Sequence, residues 1–330
     1  MSAQANIDHT QVISEAKATA SGAFFCMEAD RGAVRITGSD TLDLLNRLTT
    51  MKVDTLSAGE VRETLLTNEK GRVIDAALVA VREDDVLLLL SPGRAGEVIA
   101  WLEKYTIMED CVYEDISASV AQCSVYNTGE ILSGDTLSMP SEGRSAVMPL
   151  GETTVRVLHH ASVTGAGLRV LCASDDVSAV REYLSDHVGI PLVGAAAFAL
   201  WRIDRLLPAV GHELSGLANP LEAGAAAAVD FEKGCYIGQE VIARLDSYDK
   251  VQRLPRRIRR SPDAQEFPEP GSVLYAEGKN AGFVTTLIYD PREGAERGIA
   301  LVRHAFAAAG TRLSLQPDGD AQPFAVEQGP

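Results

Sequence analysis

The chain has 330 residues, 46% of them hydrophobic and only 5% aromatic, with a formal net charge of −16. That length exceeds one ordinary core and predicts two or three globular domains built on Ala, Val and Leu. So acidic a surface repels nucleic acid and anionic membrane, and direct binding to either is not expected.

Met1 to Ala20 is mostly polar, with no apolar run of signal-peptide length, and no stretch is long and apolar enough to span a bilayer. A cytoplasmic protein is the expectation. Alternation in Ala33-Val34-Arg35-Ile36 predicts a strand, after which Ser39 or Asp40 caps a helix carrying Leu42, Leu45 and Leu48 on one face. Val61–Thr67 and Val73–Arg82 read as strands joined by the turn Asn68-Glu69-Lys70-Gly71, and Val86–Leu90 as a third strand. A helix over Ala95–Tyr105 and strands over Val112–Ile116 and Val120–Tyr126 follow.

Asn127–Leu150 is rich in Gly, Ser and Pro and predicts a turn-laden connection. Beyond it come strands over Thr153–Leu158 and Gly167–Cys172, then helices over Asp176–Val188 and Gly194–Leu206, the second stopped by Pro208. From Leu254 onward short strands alternate with Gly, Pro and Asn turns, which signals a small all-β barrel or sandwich. Asp318–Pro330 reads as a frayed tail.

Five cysteines (Cys26, Cys111, Cys123, Cys172 and Cys235) are scattered without a CxxC pair. Reduced thiols are expected, with neither a disulfide framework nor a metal site. Arg253, Arg256, Arg257, Arg259 and Arg260 interrupt the acidic chain. They fit either a solvated edge strand or a docking patch for an anionic partner.

The most informative stretch is Lys233-Gly234-Cys235-Tyr236-Ile237-Gly238-Gln239-Glu240. Two glycines four apart around reactive side chains suggest a tight turn or the close approach of a ligand. Its thiol reads equally as an inert apolar residue or as a thiolate favoured by Lys233 and nearby N–H groups.

This segment resembles the signature of the YgfZ-type folate-binding proteins, relatives of the glycine-cleavage aminomethyltransferase that act in iron–sulfur cluster maintenance. Asn219-Pro220-Leu221-Glu222 and Val241-Ile242-Ala243-Arg244 extend the likeness, as do Ile36-Thr37-Gly38-Ser39-Asp40 and Asn68-Glu69-Lys70-Gly71-Arg72-Val73-Ile74-Asp75. The resemblance implies an α+β ring of two mostly antiparallel domains, closed by a C-terminal all-β barrel around a central folate cleft. Residues 24–53 with 120–248 would form the split folate-binding domain, 54–119 an inserted domain, 249–317 the barrel and 318–330 the tail.

A folate site needs groups that pair with the pterin edge, apolar walls for the ring and a cation for the glutamyl tail. Candidates to contact tetrahydrofolate, or a one-carbon derivative, are Arg202, Asp204, Glu222, Gly234, Tyr236, Gly238, Gln239, Glu240 and Asn68, with Trp201 as a further wall. Candidates for chemistry are Cys235, Lys233 and Asp75. Against the transferase pattern, Ala76 stands where a second aspartate follows Asp75, and Arg169 replaces a glutamate that holds the pterin edge. An arginine cannot accept the donors of that edge.

The expected function is tetrahydrofolate binding in support of iron–sulfur cluster assembly or repair, and through it tRNA modification, with assembly factors or client enzymes as partners. One rival is a folate-dependent aminomethyltransferase or demethylase. The other is an adaptor acting through Arg253–Arg260.

Overall fold

The computed structural model describes residues 8–28, 30–129, 139–248, 250–261, 268–317 and 323–328. Three antiparallel sheets organise them. The first holds β1 (Phe24–Glu28), β7 (Val120–Tyr126), β8 (Arg144–Leu150), β9 (Thr153–His159) and β10 (Ala166–Ala173), in the order β1-β7-β10-β9-β8. The second holds β2 (Arg31–Thr37), β3 (Val61–Thr67), β4 (Val73–Val81), β5 (Val86–Pro92) and β6 (Val112–Asp115), in the order β3-β4-β5-β2-β6.

These two sheets pack face to face. Ala33, Val61, Leu78, Ala80, Leu87 and Leu89 meet Leu158 and Leu171 in one buried seam. Fully burying each such leucine stabilises by about 1.5–3 kcal/mol. Helices cover the outer faces. α2 (Thr41–Leu48) and α3 (Ala95–Glu103) lie on the second sheet, and α4 (Val177–Glu182), continued by a single π turn, lies on the first. α1 (His9–Ser21) packs with α5 (Ala195–Arg205) beside β1 and β7. α5 starts where Glu15 accepts a hydrogen bond from the Gly194 N–H at 2.9 Å, and it ends at Leu206 in a left-handed conformation before Pro208.

The third sheet holds β11 (Arg253–Arg260), β12 (Val273–Ala276), β13 (Lys279–Asp290), β14 (Ala295–Arg303), β15 (Arg312–Leu313) and β16 (Phe324–Val326). Tyr275 and Ser314 exchange backbone hydrogen bonds at 2.8 and 2.9 Å, which nearly closes it into a barrel.

Several expectations need correction. β2 pairs with β5 and β6, so residues 31–37 join the second sheet rather than the 120–248 part. The crossover therefore falls between Glu28 and Arg31, and residues 24–28 pair with β7. Arg144–Leu150, read as connection, is an edge strand against β9, while residues 130–138 of that connection lie outside the described residues. In the tail, Phe324–Val326 pairs with Ile258–Arg260 because Phe324 and Val326 enter the barrel core. β11 is consequently an interior strand with a partner on each side, not an edge.

Its arginines are spent within the chain. Arg253 holds Glu222, Arg259 holds Glu293 and Arg260 holds Glu296, while Arg256 donates to the Ala307 carbonyl. The Asp40 carboxylate accepts from the Asp110 N–H instead of capping α2. A further helix, α6 (Gln239–Ser247), lies where no helix was expected. No helix among the described residues is long and apolar enough to cross a membrane.

Candidate functional site

A cavity of about 410 Å³ opens where all three sheets and α5 converge. Tyr126 from β7 and Phe198 from α5 supply aromatic wall, and Leu287 and Ile288 from β13 close the barrel side. No single segment forms this space, which is why a linear motif could not announce it.

Charged groups crowd its inner wall. Arg31 holds the Glu28 carboxylate through two nitrogens at 2.5 and 2.6 Å, and Ser124 donates to the same carboxylate. Burial pushes Glu28 up, but the Arg31 guanidinium overrides it and holds the group below the ordinary carboxylate range. Burial lifts the Glu63 carboxyl, and hydrogen bonds from the Ser162 hydroxyl and the Val163 N–H offset this only in part. Arg169 is buried, and its one hydrogen bond runs to Gln122 Oε1 at a long 3.3 Å. Its Nε has no partner. Burial, with the Arg31 charge behind it, pushes Arg169 down to about 10, still a cation at neutral pH.

On the α5 side, Arg202 lines the cavity but is already paired. It donates to Glu213 at 2.6 Å, to Thr286 at 2.7 Å and to the Leu207 carbonyl at 2.9 Å, with side chains 3% and 1% exposed for Arg202 and Glu213. Glu213 also accepts from Ala209 N–H, Thr285 and Thr286. This is a buried, multiply bonded pair. Asp204 faces the barrel instead, bonded to Arg292 and Arg297 at 3.1 and 2.7 Å.

Asp75 is fully buried and accepts from the Ala76 and Ser91 N–H groups. Burial raises its carboxyl, against those two hydrogen bonds. Ala76, the position where the resembling transferases carry a second aspartate, lines the cavity with a methyl group.

The Lys233–Glu240 segment lies outside that lining. Lys233 Nζ donates to the carbonyls of Asn46, Thr49 and Met51, each at 2.7 Å, so all three ammonium hydrogens are engaged. Burial pushes this amine down to about 8. It pegs the loop to the end of α2, which corrects the expectation that it serves the thiol. Tyr236 is core, packed with Leu221, Val229 and Ile242.

Gly238 sits at φ +85, where an added Cβ would lie 2.6 Å from the Asn68 carbonyl oxygen and 2.9 Å from Gly71 Cα. Only glycine lets the loop dock on the β3–β4 turn so closely. Asn68 organises that turn by accepting from the Lys70 and Arg72 N–H groups. Glu222 is buried between Arg72 and Arg253. Gln239 and Glu240 form the first turn of α6, and a Cβ added at Gly234 would meet nothing within 4 Å. Cys235 is exposed, whereas Cys26, Cys123 and Cys172 are buried and Cys111 is intermediate.

Of the residues expected to contact folate, the cavity lining includes Arg202 and none of the others. Trp201 is core, in edge contact with Phe24 and Tyr126. The missed lining residues Tyr126 and Phe198 sit in ordinary strand and helix patterns that carry no chemical signal. Arg169 did carry one, as an arginine within the apolar run of β10.

A second cavity of about 540 Å³ lies where β3 meets the His160–Val163 turn and shares Glu63 with the first. His160 lines it, buried, with Nε2 unpartnered, and burial pushes the imidazole down to about 3. Among the described residues no cluster of His, Cys, Asp and Glu has the arrangement to hold a metal ion.

A three-sheet ring around a charged cavity defines the aminomethyltransferase-like class. The chain belongs to the GCVT N-terminal domain family, whose profile matches residues 4–233. It is 28% identical over 295 residues to a chloroplastic protein of Arabidopsis thaliana whose name places it among the transferases, covering 87% of this chain and 67% of that one. It is likewise 28% identical over 295 residues to an aminomethyltransferase of Halalkalibacterium halodurans, covering 86% of this chain and 79% of the relative. The glycine cleavage system aminomethyltransferase T of Bartonella henselae has the same fold, with a TM-score of 0.74 at 18% identity over 96% of this chain and 88% of its own.

Proposed function

We propose that the chain is a folate-dependent one-carbon transferase of this family, with tetrahydrofolate or a one-carbon derivative in the central cavity. The observation that carries the reading is the cavity itself: aromatic walls on two elements and buried charged groups that still have hydrogen-bonding capacity. Relatives named as aminomethyltransferases support the same chemistry. Bound folate supplies the N5 and N10 atoms that accept or release the one-carbon unit. This chain's residues offer the ring one aromatic wall, Tyr126 and Phe198 packed against each other with centroids 4.9 Å apart, and exclude water with the barrel wall.

Ala76 bears on which transfer occurs. Without a carboxylate there, no side chain at that position positions or polarises the folate nitrogen, so transfer from an aminomethylated carrier is expected to be slow. Calorimetry with tetrahydrofolate, followed by a turnover assay with aminomethylated lipoyl carrier protein, tests both statements. Micromolar binding with slow turnover is the expected result. No binding below millimolar concentrations would refute the reading.

A second reading rests on a separate observation. Cys235 is the one exposed thiol of the five, held on a loop that Lys233 and Gly238 fix in place. That fits a protein supporting iron–sulfur cluster assembly or repair, with the thiol meeting a cluster or a partner's sulfur transiently. Complementation of a strain lacking the protein, by wild type and by Cys235→Ser, tests it. Rescue of cluster-enzyme activity by the serine variant would end this reading.

A further inference from the structure

The inner wall of the central cavity is better supplied with hydrogen-bond donors than with free acceptors. Glu28 is taken by Arg31 and Ser124, Glu63 by Ser162 and Val163, and Glu213 by Arg202, Ala209 and two threonines. Arg169 is the exception. Its side chain is buried, no carboxylate pairs with it among the described residues, and of its five N–H donors one makes a long bond to Gln122. A buried guanidinium with its donors unspent is costly unless something arrives to accept them. Because it is a planar fork, it matches two acceptors side by side far better than a single one.

On a reduced folate ring, where N8 carries a hydrogen, such a pair exists at one place. The 4-oxo oxygen lies beside N5, and N5 is an acceptor when unprotonated, as in dihydrofolate. It also carries an acceptor in 5-formyltetrahydrofolate, where the formyl oxygen adjoins the 4-oxo group. In tetrahydrofolate N5 bears a hydrogen, and a donor facing a donor weakens the match. We propose that Arg169 is a specificity-determining residue that grips the O4/N5 edge of the ring and selects folates carrying an acceptor at N5. The inference rests on the reading that folate occupies this cavity, and it assigns the one-carbon state which that reading leaves open.

The test is calorimetry on wild type, Arg169→Gln and Arg169→Lys with four ligands: tetrahydrofolate, dihydrofolate, 5-formyltetrahydrofolate and p-aminobenzoylglutamate. Wild type is expected to bind the two N5-acceptor folates about 10-fold or more tighter than tetrahydrofolate, the scale of one charge-assisted hydrogen bond. Both variants should lose that preference while keeping most of their affinity for tetrahydrofolate. The lysine variant keeps the charge and removes only the fork, so it stands in if the glutamine variant does not fold. Equal wild-type affinity for the three folates overturns the inference. So does a loss in the variants that also appears with p-aminobenzoylglutamate, which would put Arg169 on the glutamyl tail. Failure of every folate to bind wild type overturns the functional reading, and this inference with it.

Discussion

The central cavity and the Cys235 loop divide the molecule's chemistry in opposite ways. The loop is contiguous, holds the most distinctive residues in the sequence, and spends several of them on its own position. Lys233 binds three carbonyls, Gly238 admits the β3–β4 turn and Tyr236 fills a core. The Cys235 thiol stays exposed. The cavity draws its lining from β7, β10, β13 and α5, and two features, Arg169 Nε and a wall of aromatic carbon, are left open for a ligand. A conspicuous motif can thus mark a rigid joint, while the binding surface is assembled from residues that look ordinary one at a time.

The sharpest way to break this contrast lies at the cavity's buried ion pair. Removing one partner of such a pair leaves an uncompensated charge, so Arg202→Ala should cost about 3–5 kcal/mol of stability in urea unfolding. Replacing Glu213 by Gln in the same chain should recover part of that loss. If Arg202→Ala instead left stability intact and removed only folate affinity, Arg202 would be a ligand contact and not a brace.

In the loop, the two glycines should separate cleanly. Gly238→Ala forces a non-glycine residue to φ +85 against the Asn68 carbonyl and should cost about 3 kcal/mol. Gly234→Ala meets open space and should be nearly silent. Equal costs would mean that the loop's docking on the β3–β4 turn is wrong.

Acid stability probes the wall between the two cavities. His160 is held neutral down to about pH 3, whereas in the unfolded chain it titrates near its ordinary value. As pH falls through about 6.5 the unfolded state takes up a proton that the folded state refuses, so stability is full above that pH and lost below it. The loss should reach about 2 kcal/mol by about pH 5. Glu63 and Asp75, both raised by burial, act in the opposite direction. The difference between wild type and His160→Gln isolates the histidine, and the variant should show the shallower decline.

The smallest expected effect belongs to the thiol. An exposed Cys235→Ser change should alter stability by less than about 0.5 kcal/mol. A clear fall in melting temperature would show that the sulfur is packed.

Much of the scaffold was legible because its elements obey local rules: the strands Val61–Thr67 and Val73–Val81 on either side of the Asn68–Gly71 turn, the helix ended by Pro208, the helix-free barrel strands. Legibility failed where long-range pairing decides. β2 alternates like any half-buried strand, and nothing local says whether it joins β7 or β5. β11 carries so many arginines that it reads as an edge, yet acids distant in sequence, such as Glu222 and Glu296, neutralise them and let it sit inside the sheet. At the site, resemblance directed attention to the Cys235 segment. The open donors of Arg169 depend on which carboxylates are already engaged, and that is a property of the assembled wall.

One measurement tests the central claim, that ligand binding resides in the cavity and not in the loop. Calorimetry with 5-formyltetrahydrofolate on Ala199→Phe, which fills the cavity from α5, and on Cys235→Ala compares the two regions directly. The account predicts binding lost in the first variant and unchanged in the second. Binding retained with the cavity filled, or lost with the thiol removed, would contradict it.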